Sequence, residues 1–341
     1  MRIMKHERFA AVRIGLAACA VSAMACFPAT AAAQEKLTFA IPGVPAIYGG
    51  VIALVAQQQG LFKKYGVDVN VRAFETGAAA SRAVASGEIA AGLSPTPLVV
   101  SQISNSDVKL VGIYGMEHPD WLIGSTDPNA TCASLKGAPV GVDAVGGARS
   151  IALKTMLIGG CKMQIEDVQQ VALSSNGPGA MVAGQLKFGV LHIDDVPFIE
   201  SQMKKPVKII VKQKDSRPVD HYMMIVVNKD KLAQNRDAYV RMIAALIDAQ
   251  RFMRNPTNAA KVAEAAKPTG RSADLAEKAL KAYLDMEFWP NGNDGMDRKN
   301  IETLTQVMKK VGNIKPDKKP ATFERIVDAS VWRDANAMVK P

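Results

Sequence analysis

Apolar and polar residues follow each other along the first third of the chain in patterns that predict strands and helices in turn. Strands are predicted at residues 37–41, 67–74, 89–93 and 108–114, with helices at 49–59, at 78–86 and from 94–97 onward. Turn residues such as Pro42-Gly43 separate them. The order β-α-β-α-β-α-β predicts a mainly parallel sheet with helices on both faces.

A second unit with the same rhythm begins near Leu122. Its strands are predicted at residues 140–142, 168–173, 189–193 and 209–211, with helices at 148–158 and 180–183. A strand at 222–227 follows, and the remaining chain is helical at residues 237–252, 258–265, 272–284 and 297–311. The pattern therefore predicts two α/β units, with a break near residues 118–121 and a return near 221–227.

The N-terminus has the pattern of a secretory signal peptide. Four positive charges precede Ile14, a mostly apolar run extends to Phe27, and small residues follow up to Ala33. We expect cleavage after Ala33, which would leave an exported, soluble protein. An uncleaved membrane anchor is the alternative, although the run is shorter than the ~20 residues of a typical span.

The composition is typical of a soluble globular protein. The chain has 341 residues, of which 48% are hydrophobic and 22% charged, so it is longer than one ordinary domain and is neither disordered nor a polytopic membrane protein. The net charge of +10 falls to +7 for residues 34–341, because residues 1–33 carry four positive charges and one negative. The basic residues are spread out and form no stripe with interleaved aromatic residues, so no nucleic-acid partner is expected.

Two cysteines, Cys132 and Cys161, lie outside the predicted signal peptide. An even number of cysteines in an oxidising compartment favours a disulfide. Cys132 precedes the strand predicted at 138–143 and Cys161 follows the helix at 148–158, so both lie at the end of this unit that is opposite the ligand-binding end. We expect a structural bridge, with two free thiols as the alternative.

The chain lacks the short motifs that would indicate an enzyme or a metal site. G-x-S-x-G, the Walker A phosphate loop and H-E-x-x-H are absent. The three histidines outside the signal peptide, His118, His192 and His221, show no metal-ligand spacing. A binding protein without cofactor or metal is therefore expected rather than an enzyme.

The order of several segments resembles the substrate-binding proteins of ABC importers. Residues 58–69, QQGLFKKYGVDV, are similar to the "EGLFKKYGLDV" segment of that family, and residues 85–92, 134–142 and 183–192 match further segments. Lys187-Phe188 stands where the family has Asp-Ala, and Asp194-Asp195 stands where it has prolines. The resemblance covers residues 34–341 and is strongest to the branch that binds nitrate, sulfonates, taurine or thiamine pyrimidine precursors.

This resemblance implies a type II periplasmic-binding-protein fold, with two doubly wound α/β lobes, a hinge of two crossings and a ligand cleft between the lobes. Residues 34–118 and 226–341 would form lobe 1, and residues 119–225 would form lobe 2. It implies a monomeric periplasmic protein that delivers a small organic or anionic ligand to an ABC permease in the inner membrane. A pyrimidine-precursor synthase-like enzyme of the same fold, which would carry a Cys-rich motif that this chain lacks, and the ligand-binding component of a sensor are the alternatives.

The cleft should be lined by the loops at the carboxyl ends of the strands and by the two crossings, because ligands of open α/β sheets bind there beside helix N-termini. The candidate ligand-binding residues in these segments are Tyr48, Thr76, Gly77, Ser94, Thr96, Trp121, Gly146, Gly147, Arg149, His192, Asp194, Asp195, His221 and Tyr222.

Several candidates have a structural alternative. Tyr48 can stack on a ligand ring or cover the edge of the core. Thr76 and Ser94 can offer hydroxyl groups to an anion or cap helices. Gly146 and Gly147 can let a ligand approach the backbone or can serve a tight turn.

The charged candidates also have two interpretations. Arg149 can clamp a carboxylate or sulfonate, or lie on the surface. Asp194 and Asp195 can accept hydrogen bonds from an amine or cap the following helix, and the histidines can contact a ligand or be structural. Because a pair of carboxylates would repel a bare anion such as nitrate, we expect an organic solute with a polar or nitrogen-bearing group.

Overall fold

The computed structural model describes residues 36–174, 176–217 and 220–339. The predicted signal peptide, residues 1–33, lies outside these ranges, as does Ser175 of the loop between the second-unit strand and helix. None of the described helices combines the length and the apolar character that a membrane span requires.

Two five-stranded sheets organise the described chain. The strands are β1 (Lys36–Pro42), β2 (Asp68–Phe74), β3 (Ala91–Pro95), β4 (Leu110–Met116), β5 (Leu122–Ser125), β6 (Pro139–Val142), β7 (Gln169–Ala172), β8 (Phe188–Leu191), β9 (Lys208–Lys212) and β10 (Met223–Asn228). Sheet A has the order β2-β1-β3-β10-β4, and sheet B has the order β7-β6-β8-β5-β9. We call the units built on sheets A and B lobe 1 and lobe 2.

The two sheets have equivalent topologies. In each, three neighbouring strands run parallel, and one antiparallel strand, β10 or β5, lies between them and the last strand. The apolar run at 222–227 predicts β10, but no pattern predicts β5. All four residues of β5 are buried, so this short strand shows no apolar–polar alternation.

Helices cover both sheets. They are α1 (Val51–Gln58), α2 (Leu61–Lys64), α3 (Gly77–Ala85), α4 (Thr96–Asn105), α5 (Ala148–Met156), α6 (Gly177–Val182), α7 (Asp195–Met203), α8 (Gln213–Ser216), α9 (Lys229–Gln234), α10 (Arg236–Arg254), α11 (Ala259–Ala265), α12 (Ala273–Asp285), α13 (Arg298–Lys310), α14 (Phe323–Ile326) and α15 (Ser330–Met338).

The structure differs from the predicted helices at a few places. α5 ends at Met156 and continues as a π-helical turn, Leu157–Cys161, instead of remaining α-helical to residue 158. Helix α7 was expected only as the helix that Asp194 and Asp195 could cap, without bounds, because Pro197 interrupts its pattern. A proline in the first turn of a helix is nevertheless compatible with helical geometry. The C-terminal helices α14 and α15 are not among the helices predicted from the sequence.

Lobe 1 is completed by the C-terminal part of the chain. The long helix α10 buries its apolar face, including Met242, Ile243 and Leu246, and packs against α1 and α15. Because β10 lies inside sheet A, the segments before and after lobe 2 share one core.

The chain passes between the sheets twice. It leaves sheet A after Met116 and enters β5 at Leu122, and it leaves β9 at Lys212 and re-enters sheet A at Met223. These two passages correspond to the predicted hinge crossings. The residue boundaries of the lobes at 118/119 and 225/226 stay a prediction.

Cys132 and Cys161 form the expected disulfide, with the sulfur atoms 2.04 Å apart. Cys132 lies in the loop before β6, and Cys161 ends the π-helical turn after α5. The bridge therefore joins the entry and the exit of one βα unit, at the end of sheet B away from the carboxyl ends of its parallel strands.

Candidate functional site

Two adjoining cavities lie between the lobes, at the carboxyl ends of the parallel strands. The first has a volume of about 360 Å³ and the second about 570 Å³, and Ile47, Arg149 and His192 line both. Of the sequence candidates, the first cavity is lined by Thr76, Gly77, Trp121, Arg149, His192 and Tyr222. The second adds Tyr48, Asp194 and Asp195.

The lobe 1 wall of the first cavity is the N-terminus of α3. Thr76 is the N-cap residue, and its Oγ1 accepts a hydrogen bond from the backbone N–H of Ala79 at 3.1 Å. A Cβ on Gly77 would lie 2.9 Å from the ring of Pro95, so this close approach of loop and strand requires glycine. The helix thus presents the positive end of its dipole and the Thr76 hydroxyl to the cavity.

Arg149 supplies a buried positive charge in the lobe 2 wall. Only 6% of the residue is exposed, so the alternative of a surface arginine is wrong. Its Nη1 donates to the carbonyl oxygen of Val190 at 3.0 Å, and its Nη2 lies 3.9 Å from Asp195 Oδ2. The guanidinium is therefore held in place by lobe 2 while it faces both cavities.

The N-terminus of α5, expected to face a ligand, is occupied by a protein carboxylate. Asp143 Oδ2 accepts the N–H of Ala148 and Oδ1 accepts the N–H of Arg149, both at 3.0 Å. A Cβ on Gly147 would lie 2.8 Å from this carboxylate, and Gly146 has a φ of +75°. Both glycines therefore serve the turn and the Asp143 cap, and neither lines a cavity.

The first crossing contributes a buried polar and aromatic group. Asp120 Oδ2 lies 2.9 Å from His192 Nδ1, and Tyr283 also donates its hydroxyl to Asp120. Trp121 meets the ring of Tyr222 edge-on, with centroids 4.9 Å apart, and its Nε1 donates to His192 Nε2 over a long 3.4 Å. The cavity therefore has an aromatic wall backed by a hydrogen-bonded carboxylate.

The Asp120–His192 contact changes the pKa values of both groups. Burial lowers the pKa of His192, but the neighbouring Asp120 carboxylate outweighs it and holds this pKa above its usual value. Burial raises the pKa of Asp120, yet the imidazole and the donated hydrogen bonds bring it below its usual value. The contact therefore favours an ionised Asp120 and a proton on His192 Nδ1, and Nε2 must be unprotonated to accept from Trp121.

The second cavity is closed by an ion pair that joins the lobes. Arg271, in the segment before α12 of lobe 1, donates from Nε to Asp194 Oδ2 at 2.9 Å and from Nη2 to Asp195 Oδ1 at 2.5 Å. The hydroxyl oxygen of Tyr283 in α12 also lies 2.9 Å from Asp194 Oδ1, so its single proton is shared between Asp120 and Asp194. Burial raises the pKa of Asp194, and the Arg271 guanidinium works against that rise.

These contacts show that the two carboxylates do not stand free in the cleft. Asp194 and Asp195 share the single positive charge of Arg271, and Arg149 Nη2 lies 3.9 Å from Asp195, so their repulsion of an anionic ligand is reduced. Asp194 is the N-cap residue of α7, but its side chain accepts no hydrogen bond from the helix backbone. Asp195 Oδ2 accepts the backbone N–H of His192 at 2.8 Å.

Tyr48 lines the second cavity but is largely a core residue. Only 1% of it is exposed, and its hydroxyl donates to the carbonyl oxygen of Ala276 at 2.5 Å. Burial raises its pKa above the usual range for tyrosine. Its ring lies 5.3 Å from that of Tyr283, which places it beside the Asp194 contact.

Ser94, Thr96 and His221 lie outside both cavities. The hydroxyl groups of Ser94 and Ser81 are hydrogen-bonded at 2.5 Å, and Ser94 belongs to β3, so its interpretation as a helix cap is wrong. His221 has partners on both ring nitrogens, Thr96 Oγ1 at 2.7 Å and the Gly295 carbonyl oxygen at 2.6 Å. Burial lowers the pKa of His221 to about 4, so the ring is neutral and structural in this position.

Arg271 and Tyr283 were not predicted as site residues, and Asp143 was predicted only as part of a strand. No local signal marks Arg271, because its partners are 76 and 77 residues away in the sequence. Across the described ranges, no group of three or more histidine, cysteine, aspartate or glutamate side chains is arranged to hold a metal ion.

Comparison with known proteins gives the family. The model of the family described as NMT1/THI5 like matches residues 51–259, more than half of the chain. The chain belongs to the NMT1/THI5-like family. A Brucella abortus protein that carries the provisional name of binding protein is 22% identical to it over 251 residues, which are 73% of this chain and 74% of the relative.

Solved structures show the same fold as this NMT1/THI5-like chain. The periplasmic nitrate-binding protein NrtA from Synechocystis PCC 6803 has a TM-score of 0.73 at 12% identity and covers 91% of this chain and 90% of its own. The ligand-binding component of an ABC-type import system from Staphylococcus aureus, solved with zinc bound, has a TM-score of 0.69 at 13% identity, with 89% and 99% covered. The predicted periplasmic-binding-protein fold with two α/β lobes is thereby confirmed.

Proposed function

We propose that this protein is the solute-binding component of an ABC import system, exported to the periplasm, where it captures a small organic anion between its lobes. Its family and the fold that it shares with binding components of importers support this role. Delivery to a permease in the inner membrane and action as a monomer are parts of the same proposal.

The buried Arg149 is the single observation that carries the ligand class. The acidic side chains buried in the cavity walls already have partners in the protein: Asp143 caps α5, Asp120 pairs with His192, and Asp194 and Asp195 pair with Arg271. Among the described residues, the Val190 carbonyl oxygen lies within hydrogen-bond distance of the Arg149 guanidinium, and the Asp195 carboxylate lies 3.9 Å away. A ligand carboxylate or sulfonate would give this guanidinium a charged partner within hydrogen-bond distance.

The lobe 1 wall of the first cavity also favours a negatively charged ligand. The first N–H groups of a helix have no partner inside the helix, and α3 directs its N-terminus at the cavity. The Thr76 hydroxyl adds a further donor beside them. An anion bound between Arg149 and α3 would therefore contact both lobes, which is what holds a two-lobed binding protein closed.

The rest of the first cavity favours a ligand with an apolar or aromatic part. Pro42, Ile47, Pro95, Trp121 and Tyr222 provide apolar or aromatic surface around the polar contacts. We therefore favour aromatic or aliphatic carboxylates and sulfonates over bare nitrate.

We propose binding without catalysis. The buried titratable side chains of the cavities are held by other protein groups, as His192 is by Asp120 and Arg271 is by two carboxylates. None of them is placed by these contacts as the base of an activated nucleophile.

A thermal-shift screen tests the ligand class, because a ligand that binds only the folded state raises its melting temperature. The panel compares benzoate, benzenesulfonate and short alkanesulfonates with nitrate, with tetramethylammonium and with neutral sugars. We expect organic anions to give the largest shifts. Shifts from the cation or the sugars alone would contradict the proposed ligand class.

A further inference from the structure

A third cavity lies against the first crossing, outside the two cleft cavities. We call it the hinge pocket; its volume is about 620 Å³. Its walls are mostly apolar and come from the crossing, from α7, from β9 and from the end of α12, and they include Trp121, Leu122, Ile193, Val196, Ile209 and Met286. Met286 belongs to lobe 1, whereas Ile193, Val196 and Ile209 belong to lobe 2.

Two lysines give the hinge pocket its charge. Lys212, at the end of β9, and Lys214, in α8, both line it and both are exposed. In the part of the chain that the structure describes, no carboxylate lies within ion-pair distance of either lysine. The one carboxylate in the pocket wall, Asp120, is engaged by His192 and Tyr283.

We infer that the hinge pocket is a second binding site, which takes an amphipathic monoanion with an aliphatic chain. The apolar walls would take the chain out of water, and the lysine ammonium groups would pair with its carboxylate or sulfonate. The lysines reach the rim on flexible apolar stems, so they can meet a charged head without being buried themselves.

Trp121 links this site to the cleft, because it lines both the hinge pocket and the first cavity. A chain in the hinge pocket would therefore contact a residue that also forms the cleft wall. The pocket is further bounded by both lobes, so an occupant would contact groups on either side of the hinge.

Calorimetric titration of the purified protein with decanoate tests this inference, with 1-decanol and decyltrimethylammonium as uncharged and cationic counterparts. We expect decanoate to bind and decyltrimethylammonium not to bind. The variant Lys212→Glu/Lys214→Glu should bind decanoate roughly tenfold more weakly, because two exposed charge contacts become repulsions. Its affinity for 1-decanol should stay nearly unchanged.

The matched control is Lys299→Glu/Lys319→Glu, which makes the same charge change on exposed lysines of lobe 1. It should change decanoate affinity less than about twofold. Val196→Trp, which fills the pocket, should abolish binding of 1-decanol. Combined with Arg149→Met, which removes the carboxylate contact of the cleft, it should also abolish binding of decanoate. Since the lysine variant changes only exposed residues, it tests the inference even if the tryptophan variant does not fold.

Two results would overturn the inference: no binding of decanoate, or equal affinities for the Lys212→Glu/Lys214→Glu variant and its control. Arg149→Met distinguishes the hinge pocket from the cleft, since decanoate should still bind to this variant. Loss of decanoate binding in Arg149→Met alone would assign the amphiphile to the cleft, which rejects the second site and supports the proposed function. If no organic anion of the screen raises the melting temperature while decanoate still binds, the result rejects the proposed function and supports the second site.

Discussion

Arg271 of lobe 1 donates a hydrogen bond from Nε to Asp194 Oδ2 of lobe 2 at 2.9 Å, with side chains that are only 10% and 3% exposed. Asp195 accepts a second bond from the same guanidinium. The Asp120 and Asp194 contacts of Tyr283 lie directly beside this pair. The closed arrangement of the lobes is thus held by groups of the protein itself, and the ligand adds to contacts that already exist.

Replacing Arg271 with methionine should strongly destabilise the protein, because two buried carboxylates lose their counter-charge. We expect the free energy of unfolding in urea to fall by about 3–5 kcal/mol. Lys278→Met on α12 is the matched control, since Lys278 pairs with Asp274 and both are well exposed. The control should lose at most about 1 kcal/mol. Equal losses in the two variants would show that the Arg271 pair stabilises the protein no more than an exposed ion pair does.

Asp143→Ala should destabilise the protein yet improve anion binding. The carboxylate caps α5 through two N–H groups, so its loss should cost about 1–2 kcal/mol of unfolding free energy. Removing a negative charge from the cavity wall and freeing the helix N-terminus should raise the affinity for benzenesulfonate about two- to fivefold.

Asp297→Ala is the control for this variant. Asp297 caps α13 by accepting the N–H of Asn300 at 2.7 Å and does not line either cleft cavity. It should show a similar loss in urea unfolding with unchanged affinity in calorimetry. A weaker affinity in Asp143→Ala would mean that the carboxylate assists ligand binding.

The buried His221 should make the protein less stable in acid. Burial lowers its pKa from 6.5 to about 4, so between these values the unfolded chain binds a proton that the folded protein does not. Stability from this residue is present above pH 6.5 and falls as the pH drops toward 4, by about 3 kcal/mol in total.

Urea unfolding at several pH values measures this effect. His221→Gln should remove that part of the pH dependence, whereas His118→Gln, at an exposed position, should keep it. If the free energy of unfolding of His221→Gln depends on pH as it does in the wild type, other groups cause the acid sensitivity.

The Cys132–Cys161 disulfide should stabilise the protein without affecting the cleft. It closes a loop with a sequence separation of 29 residues, which corresponds to about 3–4 kcal/mol of unfolding free energy in the chain-entropy model. The double variant Cys132→Ser/Cys161→Ser should show this loss in urea and insensitivity to reductant. Its ligand affinity should match the wild type, and a large loss of affinity would contradict the position of the bridge away from the ligand.

The sequence pattern predicts the elements with local signals and misses those without them. β1 and β2 carry apolar alternation or turn residues, and they lie within a residue or two of their predicted positions. β5 carries no such signal, because its four consecutive buried residues show no alternation of apolar and polar positions. Helix α7 is obscured by Pro197, which the first turn of a helix accommodates.

The site residues also divide into those that a local sequence pattern predicts and those that it does not. The carboxyl ends of strands can be located from the pattern, so Thr76, Arg149 and His192 were placed at the cleft, where the structure has them. The charge balance could not be predicted, because it depends on Arg271, which is far from Asp194 in sequence and lies in a helical region without a motif. The inference that the two aspartates disfavour a bare anion stays a prediction, and the sequence could not show that Arg271 weakens their repulsion.

The most direct test of the proposed function is calorimetric titration of Arg149→Met with the organic anion that gives the largest thermal shift. Because the buried Arg149 guanidinium has no carboxylate of the described residues within hydrogen-bond distance, we expect the affinity to fall about a hundredfold or more relative to the wild type. Circular dichroism would show that the variant remains folded. A dissociation constant within about threefold of the wild-type value would contradict the central claim that an anion binds at Arg149.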